Sequence, residues 1–199
     1  MKNPLRYQTT KYDCGPASLE NAVNFLLERE KIPPAILKGI SLFCMDQDNS
    51  RGELSKGGTS RMAMEHFCVW LNRYHAVHGF PVHCEFITGS DVCIEENSKI
   101  VRCLQSGGAA VVRVWLGCDH YVLLTGIDQQ YVFLFDPYFR EKAFRNKKIR
   151  MIHDQPKKMN RKVSIELINS EGTGAYEMGR KESRDAALFF YEEPMGSGR

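Results

Sequence analysis

Five runs rich in β-branched and aromatic residues crowd the second half of the chain, and they leave few folds open. They are AAVVRVW (109–115), HYVLLTGI (120–127), YVFLFD (131–136), VSIELI (163–168) and ALFFY (187–191). Each has the length of one strand and is flanked by glycine, proline or polar residues that end strands. The second and third runs flank GIDQQ, which is the pattern of a β-hairpin.

The first half reads differently. Leu19, Ala22, Val23, Leu26 and Leu27 recur at helical spacing within 15–30, which is one buried face of an amphipathic helix. Pro16 suits its first turn, where no backbone N–H is required. Pro33-Pro34 breaks that helix and opens a second through Phe43, and Thr59 or Ser60 caps a third carrying Met62, Met64, Phe67, Val69, Trp70 and Leu71. VHCEFI then reads as a strand, and 92–105 as a helix ended by Gly107-Gly108. Helices followed by an antiparallel sheet make an α+β arrangement. With 199 residues, one domain is expected: a helical lobe over about 1–106, a sheet lobe over about 107–192 and a flexible tail over 193–199.

His120 and Asp136 lie eight residues on either side of Asp128. A chain folding back about Asp128 through a three-residue loop sets them directly opposite each other, with Cβ atoms about 4.5–5.5 Å apart. A carboxylate there accepts a hydrogen bond from the imidazole. A slip of one residue sends Asp136 to the other face, so the pairing depends on register. Taken singly, the two are an ordinary strand-initial histidine and an ordinary Asp-Pro turn.

Cys14, just before Gly15-Pro16 at the mouth of the first helix, gives the pair a purpose. Thiolate is the attacking form of cysteine, and both a helix N-terminus and a neighbouring imidazolium favour it. Asp136 would orient the imidazole, the part of the third member of such a triad. Acyl transfer also needs oxyanion donors: the Cys14 backbone N–H is one, and the Gln8 amide, six residues upstream, can reach as another.

Together these pieces resemble the papain-like cysteine peptidases, and most of all the double-glycine leader peptidases, the proteolytic domains of bacteriocin-exporting ABC transporters and their stand-alone relatives. The resemblance rests on Gln8 and Cys14, on DCGPA (13–17), on GGAAVVRVW leading into DHYVLLTGID, and on LFDPY, and it covers roughly residues 5–140. It implies a papain-like fold, an N-terminal helical lobe packed on a C-terminal antiparallel β-sheet. It also implies Cys14 as nucleophile, His120 as base, Asp136 as orienting acid and Gln8 as oxyanion donor, with no cofactor. The implied substrate is a peptide or protein such as a precursor peptide, and the resemblance implies association with a transporter or biosynthetic partner. No Walker-type loop is present, so a stand-alone form is expected. The stretch 43–60 and the basic tract after 142 have no counterpart in the resemblance.

Other features bound the reading. The N-terminus lacks an apolar signal core and no run is long enough to span a bilayer, so a cytoplasmic protein with no membrane span is expected. Its seven cysteines should then be reduced thiols. Nine Lys or Arg lie between Lys142 and Lys162 against Asp154 alone. With Phe144 the one Phe, Tyr or Trp among them, they read as a solvated face and not as a nucleic-acid surface. His75, His78, His83 and Cys84 cluster after the third helix, but their spacing fits no zinc finger and a second cysteine pair is missing, so no metal is assigned. Cys118, without a helix mouth beneath it, reads as a bystander. Two other functions stay open: an acyltransferase that passes the same thioester to an amine, and a peptide-binding module of the same fold without turnover.

Overall fold

A computed structural model describes residues 4–193; of the expected flexible tail, all but Glu193 lies outside them. Three helices come first, α1 (Cys14–Leu26), α2 (Pro34–Phe43) and α3 (Arg61–His78). A seven-stranded antiparallel sheet follows, ordered β1-β7-β2-β3-β4-β6-β5. Its strands are β1 (Val82–Thr88), β2 (Ala109–Trp115), β3 (Asp119–Ile127), β4 (Tyr131–Phe135), β5 (Ile149–Met151), β6 (Arg161–Ser164) and β7 (Asp185–Tyr191). The short helices α4 (Lys99–Gln105) and α5 (Ile165–Ile168) complete an α+β architecture.

Both faces of the sheet are covered, which explains why β2 and β3 read as nearly continuous apolar runs. Ala109, Val111, Tyr121, Leu123 and Phe135 pack against the α1–α3 side. Their alternates Ala110, Val112, Val122, Leu124 and Leu134 pack against α4 and α5. Each such Val or Leu contributes about 1.5–3 kcal/mol by burial.

Two elements differ from expectation through their caps. The helix read over 92–105 begins only at Lys99, because the Ser98 side chain accepts from Val101 N–H and starts the helix there. VSIELI is a strand only as far as Ser164, whose hydroxyl accepts from Leu167 N–H and turns the remainder into α5. Ser60 caps α3 as expected, accepting from Ala63 N–H at 3.0 Å.

The β3–β4 hairpin departs from the symmetric fold-back about Asp128. Its loop is Gln129-Gln130, with Asp128 N–H on the Tyr131 carbonyl and Ile127 opposite Val132. A bulge at Thr125 then shifts the register, so that Leu124 faces Leu134 and Leu123 faces Phe135. Continued by one residue, this register sets Asp136 across from Val122, with His120 one diagonal step away. Without the bulge Asp136 would face Leu123 and lie on the opposite side of the sheet. A bulge re-aims side chains in this way, and Thr125 fixes it by donating from its hydroxyl to the Lys158 carbonyl at 2.8 Å.

An N-terminal strap ties α1 to the loops that follow β4 and β5. Leu5 N–H donates to the Pro156 carbonyl and Gln8 N–H to that of Pro137. The buried Asn21 of α1 clasps Arg6 through both its backbone N–H and its carbonyl, each at 2.8 Å. Asn21→Ala leaves those two backbone groups without their partner, a loss of about 1–3 kcal/mol. Urea denaturation should show that loss, and hydrogen exchange should show residues 5–9 deprotected while β2 and β3 stay protected.

Candidate active site

Asp13 precedes α1 but does not cap it. Its carboxylate instead accepts from Thr9 N–H, Thr10 N–H and the Thr10 hydroxyl. The side chain thereby shapes the loop 9–13 and leaves the helix mouth uncapped. Cys14 is the first residue of that helix and is buried at 8% exposure. Gly15 is required next to it, because a Cβ there would run into the side chain of Thr59. Thr59 in turn donates from its hydroxyl to the Cys44 carbonyl. The stretch 43–60, unmatched in the sequence reading, is thus packed onto the start of α1.

A buried bond sets α1 against the sheet: the Ser18 hydroxyl, one turn after Cys14, donates to the carbonyl of Tyr121 at 2.9 Å. His120 is the neighbour of that carbonyl, and its ring lies against the Cys14 thiol. Nε2 of His120 is 2.7 Å from Oδ1 of Asp136, and the ring also interacts with the Cys14 side chain. Both partners are buried, His120 at 5% and Asp136 at 1% exposure. Burial works against the imidazolium, but the hydrogen bonds and charges of Asp136 and Cys14 outweigh it and raise His120 to about 10.

Asp136 is more heavily supported than its sequence context suggests. Besides His120 it accepts from Tyr138 N–H at 2.7 Å and from the Tyr176 hydroxyl at 2.6 Å. Asn160 clasps its backbone on both sides, accepting from Asp136 N–H and donating to the Asp136 carbonyl. Arg161, buried at 2% exposure, donates to the Tyr176 hydroxyl and to the Asn160 carbonyl. Tyr176 itself is fully buried and held at φ 66°, a left-handed conformation that costs a non-glycine residue about 1–3 kcal/mol. Burial and the Asp136 charge push the Tyr176 phenol well up, so it stays a hydrogen-bond donor.

Gln8 sits beside the cluster. Its Nε2 donates to the Thr10 carbonyl at 2.7 Å, leaving one N–H of the amide toward the cleft, and its Oε1 is buried with no partner among the described residues. Cys118 is exposed, and burial of its thiol together with the charges of Cys14 and Asp119 pushes it up, away from the thiolate. Two cavities flank the Cys14–His120 pair and share Lys11 and Cys118. One, of about 510 Å³, is lined by Tyr12, Cys14, Gly58, Thr59 and Arg61. The other, of about 640 Å³, is lined by Gln8, Trp115, His120, Tyr138 and Phe144.

The structure therefore brings Cys14, His120 and Asp136 together and sets Gln8 at the edge. Ser18, Asn160, Arg161 and Tyr176 escaped the sequence reading. Of these, only Asn160 and Arg161 carried a hint, as an Asn-Arg pair opening a strand within the basic tract. Elsewhere in that tract Arg150 stacks over Tyr131, Lys162 over Phe133, and Lys148 pairs with Glu166. No helix among the described residues is long and apolar enough to cross a membrane.

The Peptidase_C39 like family matches residues 2–161. Among solved structures, the chain is similar to a double glycine motif protease from an AMS/PCAT transporter in complex with the leader peptide. That similarity is 15% in sequence identity, with a TM-score of 0.46, covering 94% of this chain and 89% of that one. No curated protein matches.

The raised His120 proton affinity makes stability depend on pH. The folded state holds this proton up to about 10, whereas an unfolded histidine releases it near 6.5. The stabilisation is complete below 6.5 and is lost as pH rises through 10. Urea titrations should therefore show the stability advantage of the wild type over Asp136→Asn shrinking steadily between pH 6.5 and 10.

Proposed function

The chain belongs to the Peptidase_C39 like family, and from that premise we propose that it is a cysteine peptidase in which Cys14 is the nucleophile. His120 is its acid–base partner, Asp136 orients His120 and Gln8 donates to the oxyanion. The observation that carries the reading is the buried His120–Asp136 pair at 2.7 Å with the Cys14 thiol against the same ring.

The steps follow from the groups at hand. A His120 raised to about 10 is imidazolium at neutral pH and stabilises a thiolate beside it. The sulfur attacks a peptide carbonyl, forming the S–C bond and moving the carbonyl electrons onto oxygen. Cys14 N–H, left uncapped by Asp13, and the remaining Gln8 N–H receive that oxyanion. Collapse breaks the C–N bond as His120 gives its proton to the leaving amine. The neutral imidazole then takes a proton from water, which attacks the thioester and releases the acid and the thiol.

The uncapped helix mouth, the Gly58–Thr59 wall and the Tyr12 side of the cavity suit an extended peptide with small residues at the cleaved bond. Lys11, Lys56 and Arg61 line the same cavity and favour carboxylate-bearing residues nearby. The 43–60 stretch beside Cys14 also suits an acyl acceptor other than water. Adding an amine to the acylated protein and comparing rates of release separates hydrolysis from transfer.

Incubation with a peptide library should give an acyl adduct on Cys14 by intact mass, absent in Cys14→Ala. Gln8→Ala should lower kcat by about 10²–10³-fold, the usual effect of losing one oxyanion donor. A wild-type protein that forms no adduct, and labels Cys14 with iodoacetamide no faster than its other thiols, would return the chain to a binding role.

A further inference from the structure

At the β1 edge of the sheet, three strands from His120, a second polar cluster forms from residues distant in sequence. His75 near the end of α3, His83 on β1 and Glu192 just after β7 each offer one ligand atom, and those atoms all lie within 4.8 Å of one another. The register explains the convergence. Val82 faces Tyr191, and the next backbone pair is closed by Glu192 N–H on the Pro81 carbonyl. Glu192 is therefore the diagonal neighbour of His83 on the same face of the β1–β7 ladder.

The two histidines sit on elements fixed to each other. Asn72 of α3, one turn before His75, donates to the Cys84 carbonyl and accepts from Cys84 N–H, both at 2.8 Å. His75 Nδ1 is 2.6 Å from the Phe80 carbonyl, which requires the proton on Nδ1 and turns the Nε2 lone pair to the cluster. A backbone carbonyl behind one ring nitrogen is the usual support of a metal-binding histidine. His83 stacks on Phe190 at 5.3 Å, and its Nδ1 is buried with no hydrogen-bond partner among the described residues.

The separations also fit. Glu192 oxygens are 3.8 Å from His75 Nε2 and 3.5 Å from His83 Nδ1, too long for hydrogen bonds. Ligands of a tetrahedral ion with bonds of about 2.0–2.1 Å stand roughly 3.3 Å apart. We propose that His75 Nε2, His83 Nδ1 and the Glu192 carboxylate form a zinc site, with water in the fourth position on the exposed side. Two imidazoles and a carboxylate are ligands suited to that ion. Of the residues grouped in sequence, Cys84 is not a member: its Sγ turns to the Cys68 carbonyl in the core. His78 packs instead on Tyr74. Three strands from His120 in the sheet order, the ion would clip α3, the edge strand and the end of β7 together and take no part in peptide cleavage.

The test is zinc titration of the reduced full chain and of Cys14→Ala, His83→Ala and Glu192→Gln, read by calorimetry and thermal unfolding. Wild type and Cys14→Ala should each bind one equivalent. At a hundredfold excess over Kd their Tm should rise by about 5–10 °C. His83→Ala and the surface variant Glu192→Gln should bind at least tenfold more weakly and lose most of that rise. Cobalt substituted for zinc should show tetrahedral d–d absorption without a thiolate charge-transfer band. Equal binding by wild type and Glu192→Gln, or a cobalt spectrum dominated by thiolate, would overturn the site.

Discussion

A carboxylate at 1% exposure must be matched on every side or it unfolds the region that holds it. Asp136 is matched by a histidine from β3, an N–H from its own turn and a phenol from the loop before β7, and its backbone is clasped by an asparagine that just precedes β6. Four segments separated by up to 56 residues thus meet at one residue, three of them at its carboxylate and one at its backbone. This convergence makes the end of the β3–β4 hairpin rigid where a hairpin end would ordinarily fray. The strained backbone of Tyr176 belongs to the same arrangement, its φ of 66° held by the hydrogen bonds of its hydroxyl and of its N–H to the Trp115 carbonyl.

The other side of the cluster is built on restraint. Asp13 turns away from the helix it precedes, and Gly15 presents no side chain to Thr59. Between them they keep the first N–H groups of α1 uncovered next to a sulfur. Ser18 then anchors the helix to the strand at the carbonyl beside His120. Helix and strand are therefore registered by one buried bond as well as by apolar packing.

How much of this was legible depended on whether the determining contacts were local. Six of the seven strands and α1–α3 followed from periodicity, whereas the three-residue β5 in the basic tract did not; the grouping of Cys14, His120 and Asp136 followed from residue type and spacing. The hairpin register did not, because a bulge carries no composition signal and Thr125 is an ordinary strand residue. The pair survives in the structure along a diagonal and not by the direct opposition that symmetry suggested. Ser98 and Ser164 could have been read as caps, but apolar residues on both sides of each favoured longer elements. Tyr176, Asn160 and Glu192 act across 24 to 117 residues of chain, and one sequence holds no signal that joins them to their partners.

The bulge at Thr125 has a consequence for tolerated length variation. Side chains alternate along a strand, so a residue gained or lost within either paired segment between His120 and Asp136, as opposed to in the turn, exchanges the faces of the two. The hairpin already contains one odd residue, and its two-residue loop contains none to spare. Variants of this chain can therefore lengthen or shorten the paired strands only in even steps, or in odd steps that abolish the bulge or create another, while the turn itself is free of that parity. Parity in this one ribbon, more than the identity of its loop residues, should mark which alignments of distant relatives across it are physically admissible.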